Sequence, residues 1–186
     1  MRVIKVVPYN PMWQTEFEKA KKFYIKLLDG LDVQIEHVGS TSVKGLHAKP
    51  ILDIDIVVPN SEVSRGVIDR LEKVGYIHQG NMGIPGREAM KYDKDKSPFE
   101  WMEHHLYVIL SGSESLENHM MLRRHLRNNP EAVKAYSQVK LDLAKVHPND
   151  IDSYVEGKSE LIRSFLEKEG MNLKALNRIQ DANKAK

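Results

Sequence analysis

The segment Ile51-Leu52-Asp53-Ile54-Asp55-Ile56-Val57-Val58 limits the possible folds more than any other part of this sequence. It is apolar enough for a buried strand and ends at Pro59-Asn60, a turn signal. Two acids interrupt it at a spacing of two. Strand side chains alternate, so Asp53 and Asp55 project from one face while Leu52, Ile54 and Ile56 project from the other. At about 3.3 Å per residue their Cα atoms stand roughly 6–7 Å apart, close enough for both carboxylates to converge on one cation or a pair. Without a cation two like charges in a half-buried strand repel, and each carries a desolvation cost. Oxygen-only ligation favours magnesium or manganese, with water and substrate phosphate completing the shell. An exposed acid pair answering nearby lysines is the simpler alternative.

The preceding segment, His37-Val38-Gly39-Ser40-Thr41-Ser42-Val43, favours a ligand site. It follows a short strand over 33–38 and opens a helical turn. Gly39 lets backbone approach a ligand closely, and the amides and hydroxyls of Ser40, Thr41 and Ser42 can cradle phosphate oxygens. Lys49, just before the acidic strand, either contacts a phosphate or pairs with Asp53 or Asp55.

Periodicity organises the rest. Trp13, Phe17, Ala20, Tyr24, Leu27 and Leu28 give an amphipathic helix over 11–29 whose aromatic stripe reads as core. A second helix covers 61–74, closed by Gly75 before a strand at Tyr76-Ile77. Residues 79–98, rich in Gly, Pro, Lys and Asp, read as a loop with a possible strand over 87–92. A further strand over 105–110 is followed by helices at 115–128, 131–146 and 149–168. The expected unit is one domain over 1–170, with a core to about 112, a helical part over about 113–170, and a frayed polar tail over 171–186.

His119 and Arg123 lie four apart on one helix face, with Lys140 on the next helix. They suit either the neutralisation of a triphosphate or salt bridges between helices. Arg123, Arg124 and Arg127 together read as a solvated face. The net charge of +2 argues against binding nucleic acid through bulk charge. Absence of cysteine removes disulfide, thiolate-zinc and cysteine-nucleophile chemistry. The apolar start is broken by Lys5 and halted by Pro8, too short for a signal peptide, and no run reaches membrane-span length, so a cytoplasmic location is expected. No tight metal motif such as H-E-x-x-H supports a histidine-rich metallohydrolase.

Gly-Ser, a connection over 41–52 and Asp-hydrophobic-Asp together resemble the nucleotidyltransferase superfamily of the polymerase-beta type. More narrowly, HVGSTSVKGLHAKPILDIDI (37–56), HHLYV (104–108), His119, Arg123, Asn129-Pro130, Tyr136 and Lys140 resemble the GrpB family over approximately residues 5–168. The resemblance implies an α/β (α+β) fold: a nucleotidyltransferase-like mixed sheet flanked by helices, with a C-terminal helical segment. It also implies a magnesium or manganese site at Asp53 and Asp55 and an NTP or related nucleotide as ligand. The superfamily pattern places a third carboxylate on a later strand, where this chain reads His104-His105-Leu106-Tyr107-Val108. Glu88 and Glu103 are alternative sources of that acid. His104 and His105 point to opposite faces; His105 is either a metal ligand or proton carrier, or a structural residue. Two functions follow: metal-dependent nucleotidyl transfer, or a catalytically inactive nucleotide-binding or folding-accessory module like the domain fused to some dephospho-CoA kinases.

Overall fold

A computed structural model describes residues 3–93, 100–172, 174 and 176–178. Its centre is a five-stranded mixed sheet ordered β1-β2-β5-β4-β3, formed by β1 (Gln34–Val38), β2 (Leu52–Val58), β3 (Tyr76–His78), β4 (Arg87–Tyr92) and β5 (His104–Leu110). The β2–β5 pair is parallel and the other three pairs are antiparallel. The possible strand over 87–92 is therefore a full member, although it joins the last strand through a connection whose residues 94–99 lie outside the described set.

Helices cover both faces. Met12–Leu27 (α1) begins where the Asn10 side chain accepts from the Met12 amide, and it buries Trp13, Phe17, Ala20 and Tyr24. Ser61–Glu72 (α2) is capped by Asn60, whose side chain accepts from the amides of Glu62 and Val63. These helices pack on Ile54, Ile56, Leu106 and Val108 and form the larger apolar core. Burying each such side chain contributes about 1.5–3 kcal/mol, so this face holds the sheet together.

The opposite face receives α3 (Glu114–Asn128), capped by Ser113, and α4 (Pro130–Val146), which has Pro130 in its first turn. A second apolar cluster of Val43, Leu46, Leu126, Tyr136 and Phe165 ties these helices to the segment after β1. The single helix expected over 149–168 is two: α5 (Ile151–Glu156) and α6 (Ser159–Lys168). A turn at Gly157-Lys158 separates them; Gly157 sits against Leu143 of α4, where a Cβ would come within 3.0 Å of Leu143 Cδ1, so the position has no room for a side chain. The start of the expected tail is also anchored: Met171 and Leu176 are buried against Leu166, and Arg178 pairs with Glu114. Residues 179–186 of that tail lie outside the described set. Among the described residues no helix is long and apolar enough to cross a membrane.

Candidate metal and phosphate site

Register places the acids. Asp53 pairs with Val38 of β1 and His105 of β5, and Asp55 pairs with Glu36 and Tyr107, so all six side chains share the face toward α3. Asp55 is completely buried and Asp53 partly so. Each carboxylate uses one oxygen on a histidine. His105 Nδ1 donates to Asp53 Oδ1 at 2.9 Å, and His119 Nδ1, from α3, donates to Asp55 Oδ2 at 2.7 Å. Asp55 Oδ1 has no hydrogen-bond partner among the described residues.

The charges respond accordingly. Burial opposes ionisation of Asp53, but the hydrogen bond and charge of His105, helped by His119 and Lys158, outweigh it and hold its pKa below the usual value. Burial alone would lower the His119 pKa; Asp55 overcomes this and raises it. Tyr107 stays a neutral phenol, its pKa raised by burial and by the nearby acids.

Gly39 joins β1 to a short 3-10 turn, Ser40–Ser42. Its φ of 65° and ψ of −170° lie in a region essentially reserved for glycine. The same position needs the missing side chain for a second reason: a Cβ there would overlap the Asp53 carboxylate and stand 2.8 Å from Asp53 Cβ. Ser40 faces the helical layer, where Lys140 Nζ donates to its Oγ at 3.0 Å. Thr41 and Ser42 turn away. The Thr41 hydroxyl bonds His37 Nε2 at 3.0 Å, and the Ser42 hydroxyl donates to Gly39 O at 2.7 Å, so they shape the turn from within.

A cavity of about 260 Å³ joins these parts, lined among others by Gly39, Ser40, Asp53, Tyr107, His119 and Lys158. A larger groove of about 640 Å³ runs along β4 and β5, is lined by His105, and shares Tyr107 with the cavity. Lys140 is buried behind Ser40; desolvation, reinforced by Lys158, lowers its pKa to about 6. Desolvation and Lys49 lower that of Lys158 to about 8. Lys49 itself lies over the Tyr154 ring, whose other cationic neighbour is Lys158, and it does not line the cavity.

The arginine cluster is a solvated face only in part: Arg124 and Arg127 are exposed, yet each of the three has a partner. Arg123 donates to Glu36 at 2.8 Å and to the His37 carbonyl at 2.6 Å, and Arg127 donates to the Ser42 carbonyl at 2.9 Å. Both hold the β1 turn in place from α3, while Arg124 pairs with Glu169. Glu88 cannot supply a third acid: it pairs with Val108 on the far face and accepts from His78. Glu103 lines the larger groove instead of the cavity. Sequence reasoning singled out neither Lys158 nor Arg87. Arg87 is buried with its guanidinium 4.4 Å from the centre of the Tyr107 ring.

Among the described residues no three His, Asp or Glu side chains gather as a metal cage. The donor set still fits a cation that arrives with its substrate. Magnesium is commonly held by one or two carboxylates plus phosphate oxygens and water, and the unpartnered Asp55 Oδ1 is an acceptor of the right kind.

Fold and site together define a nucleotidyltransferase-like protein: a mixed sheet bearing an Asp-x-Asp strand beside a Gly-Ser turn. Cid1, solved in complex with its short product ApU, has the same fold at a TM-score of 0.53 and 13% identity, over 75% of this chain and 43% of Cid1. The chain belongs to the GrpB protein family, which it matches over residues 3–168. The crystal structure of the conserved protein GrpB from Enterococcus faecalis superposes with a TM-score of 0.75 at 30% identity, covering 94% of this chain and 99% of that one. The UPF0157 protein YqkA of Bacillus subtilis and the UPF0157 protein PA4798 of Pseudomonas aeruginosa are each 32% identical over 164 residues, 88% of this chain. This chain spans 46% of the first and 66% of the second.

Proposed function

We propose that this site binds the phosphate chain of an NTP together with magnesium or manganese and transfers the nucleoside monophosphate to an acceptor. One juxtaposition carries the reading: Asp53, held against Gly39, faces across a single cavity an amine of depressed basicity, Lys158, while the half-satisfied Asp55 lies buried beside Asp53 on the same strand face. Gly39 and Ser40 would position the phosphates, with Lys158 and Lys140 as counter-charges. The amides of Ser40 and Thr41 would serve for this; the Ser42 amide and the hydroxyls of Thr41 and Ser42 are engaged within the turn. Arg123 serves the site by fixing the turn. Asp53 and Asp55 would hold the cation, which supplies charge neutralisation and polarises phosphoryl oxygens. In the transfer an acceptor oxygen attacks the α-phosphorus, the bond from the α-phosphorus to the bridging oxygen breaks, and pyrophosphate leaves. His105 is half exposed and commits Nδ1 to Asp53, which leaves Nε2 to take the acceptor's proton.

A second reading has its own support. Histidines and a tyrosine stand where a third acid would sit, and this favours a module that binds nucleotide without turnover. Calorimetric titration of each NTP, with and without magnesium, tests the binding shared by both. Magnesium should strengthen binding to the parent, and the Asp53→Asn, Asp55→Asn double variant should lose about tenfold or more of that affinity. Equal affinity in parent and variant would remove the assignment. Pyrophosphate release across a panel of acceptors then separates transfer from binding alone.

A further inference from the structure

Arg87 opens β4 beside Ile109 of β5, and only 6% of its surface is exposed. The Tyr107 ring covers one face of the guanidinium. Its edge is bare: Nε and Nη2 are both buried and have no hydrogen-bond partner among the described residues. These atoms form the side-on fork of the guanidinium, two parallel N–H groups that fit the two oxygens of a carboxylate or phosphate. Arginine keeps its charge even when buried, so an empty fork is a standing cost that a bound oxyanion removes. Asp55 Oδ1 does not fill it, since that oxygen is also without a partner.

Arg87 lines the same cavity as Asp53 and His119. The strand order puts it two strands beyond the carboxylates, roughly 10 Å at about 4.8 Å per strand, on the side away from Gly39 and Ser40. Those residues and the lysines take the phosphate chain of the nucleotide. The remaining side, where the larger groove meets the cavity at Tyr107, is left for the acceptor.

We propose that Arg87 binds an oxyanion on the acceptor, so that the acceptor is a molecule bearing a phosphate or a carboxylate instead of a neutral sugar or an amine. The assignment of ends rests on the nucleotide reading above; the oxyanion site itself does not.

The test loads the protein with magnesium and a non-hydrolysable NTP analogue, then titrates ribose 5-phosphate, gluconate and ribose as phosphate, carboxylate and uncharged probes. At least one acidic probe should bind about tenfold more tightly than ribose, and which one does so distinguishes the two sources of the oxyanion. Arg87→Gln should abolish that preference while nucleotide affinity stays within about twofold. Arg87→Lys, which keeps charge and loses the fork, should recover only part of it and carries the test if the glutamine variant does not fold. Equal binding of all three probes overturns the proposal. So does a loss of nucleotide affinity in Arg87→Gln as large as the loss of probe affinity, because Arg87 would then belong to the nucleotide's own phosphates. If the parent binds no nucleotide, the nucleotide reading falls by itself. The acidic probes titrated into the unloaded protein then decide the oxyanion site, with thermal protection by the acidic probes but not by ribose expected, and no protection overturning it.

Discussion

Both faces of the central sheet bury polar side chains, and they treat them in opposite ways. Toward α1 and α2, Tyr24 bonds Tyr76 at 2.5 Å, Tyr76 bonds His104 Nε2 at 2.7 Å, and His104 Nδ1 donates to the Met102 carbonyl at 2.8 Å. The network closes on itself within an apolar core. His37 Nδ1 is left over on that side, but burial lowers the ring's pKa to about 4, so the lone nitrogen carries no charge. Toward α3, α4 and α6 the unpartnered atoms include those of charged groups, Asp55 Oδ1 and the Arg87 fork, beside two buried lysines of depressed basicity. A satisfied network stabilises one conformation, whereas unsatisfied buried charge is a cost that a ligand relieves. One face is built for stability and the other for binding.

Substitution at neighbouring positions of β2 is the hardest test of that division. Ile54, fully buried toward α1 and α2, should cost about 2–5 kcal/mol when changed to alanine, read from urea unfolding, with nucleotide affinity of the folded protein unchanged. A cost below about 1 kcal/mol would mean that the apolar face does not carry the fold. Gly39→Ala comes next. Its backbone strain costs about 1–3 kcal/mol, and the added methyl must displace the Asp53 carboxylate, so magnesium-dependent nucleotide binding should fall with it. Unchanged binding would detach the turn from the site. Tyr76→Phe should remove about 1–2 kcal/mol and leave nucleotide affinity alone; a change in affinity would couple the two faces.

The parts legible in the sequence are those set by local periodicity. The spacing of Asp53 and Asp55 predicts their shared face, and the same alternation separates His104 from His105, as the sheet register confirms. The α1 stripe and the mixed sheet with its helical C-terminal part follow from the same kind of pattern and from the family resemblance. What escapes is set by long-range contact. Nothing near Arg87 announces that β4 will lie beside β5 and slide a guanidinium over Tyr107. Lys158 lines the cavity from the turn between α5 and α6, and a helical pattern running through 149–168 conceals that break. Thr41 and Ser42 looked like phosphate ligands because a Ser-Thr-Ser turn has the right chemistry; only the fold reveals that His37 and the Gly39 carbonyl claim their hydroxyls. For His119 the choice lay between a phosphate and salt bridges between helices, and its partner is neither: it is Asp55 on the central strand, 64 residues away.

The effect most particular to the charged face concerns Lys140. In the folded protein its pKa is about 6; unfolded, it returns to about 10.5. Below pH 6 both states hold the proton and the burial penalty is fully present. Between the two values the unfolded chain binds more protons, so stability rises with pH, by at most about 1.4 kcal/mol per unit, or about 1 between pH 7 and 8. Lys140→Met removes this slope: the variant should exceed the parent in stability most near pH 6, and the gap should close toward pH 10.5. A bound phosphate chain draws the proton back, so nucleotide binding at pH 7–8 should take up nearly one more proton in the parent than in the variant. Calorimetry in buffers of different ionisation heat measures that difference directly and leaves the contribution of Lys158 common to both proteins. Equal uptake would place Lys140 behind Ser40 as a packing residue, and the counter-charge would then fall to Lys158 alone.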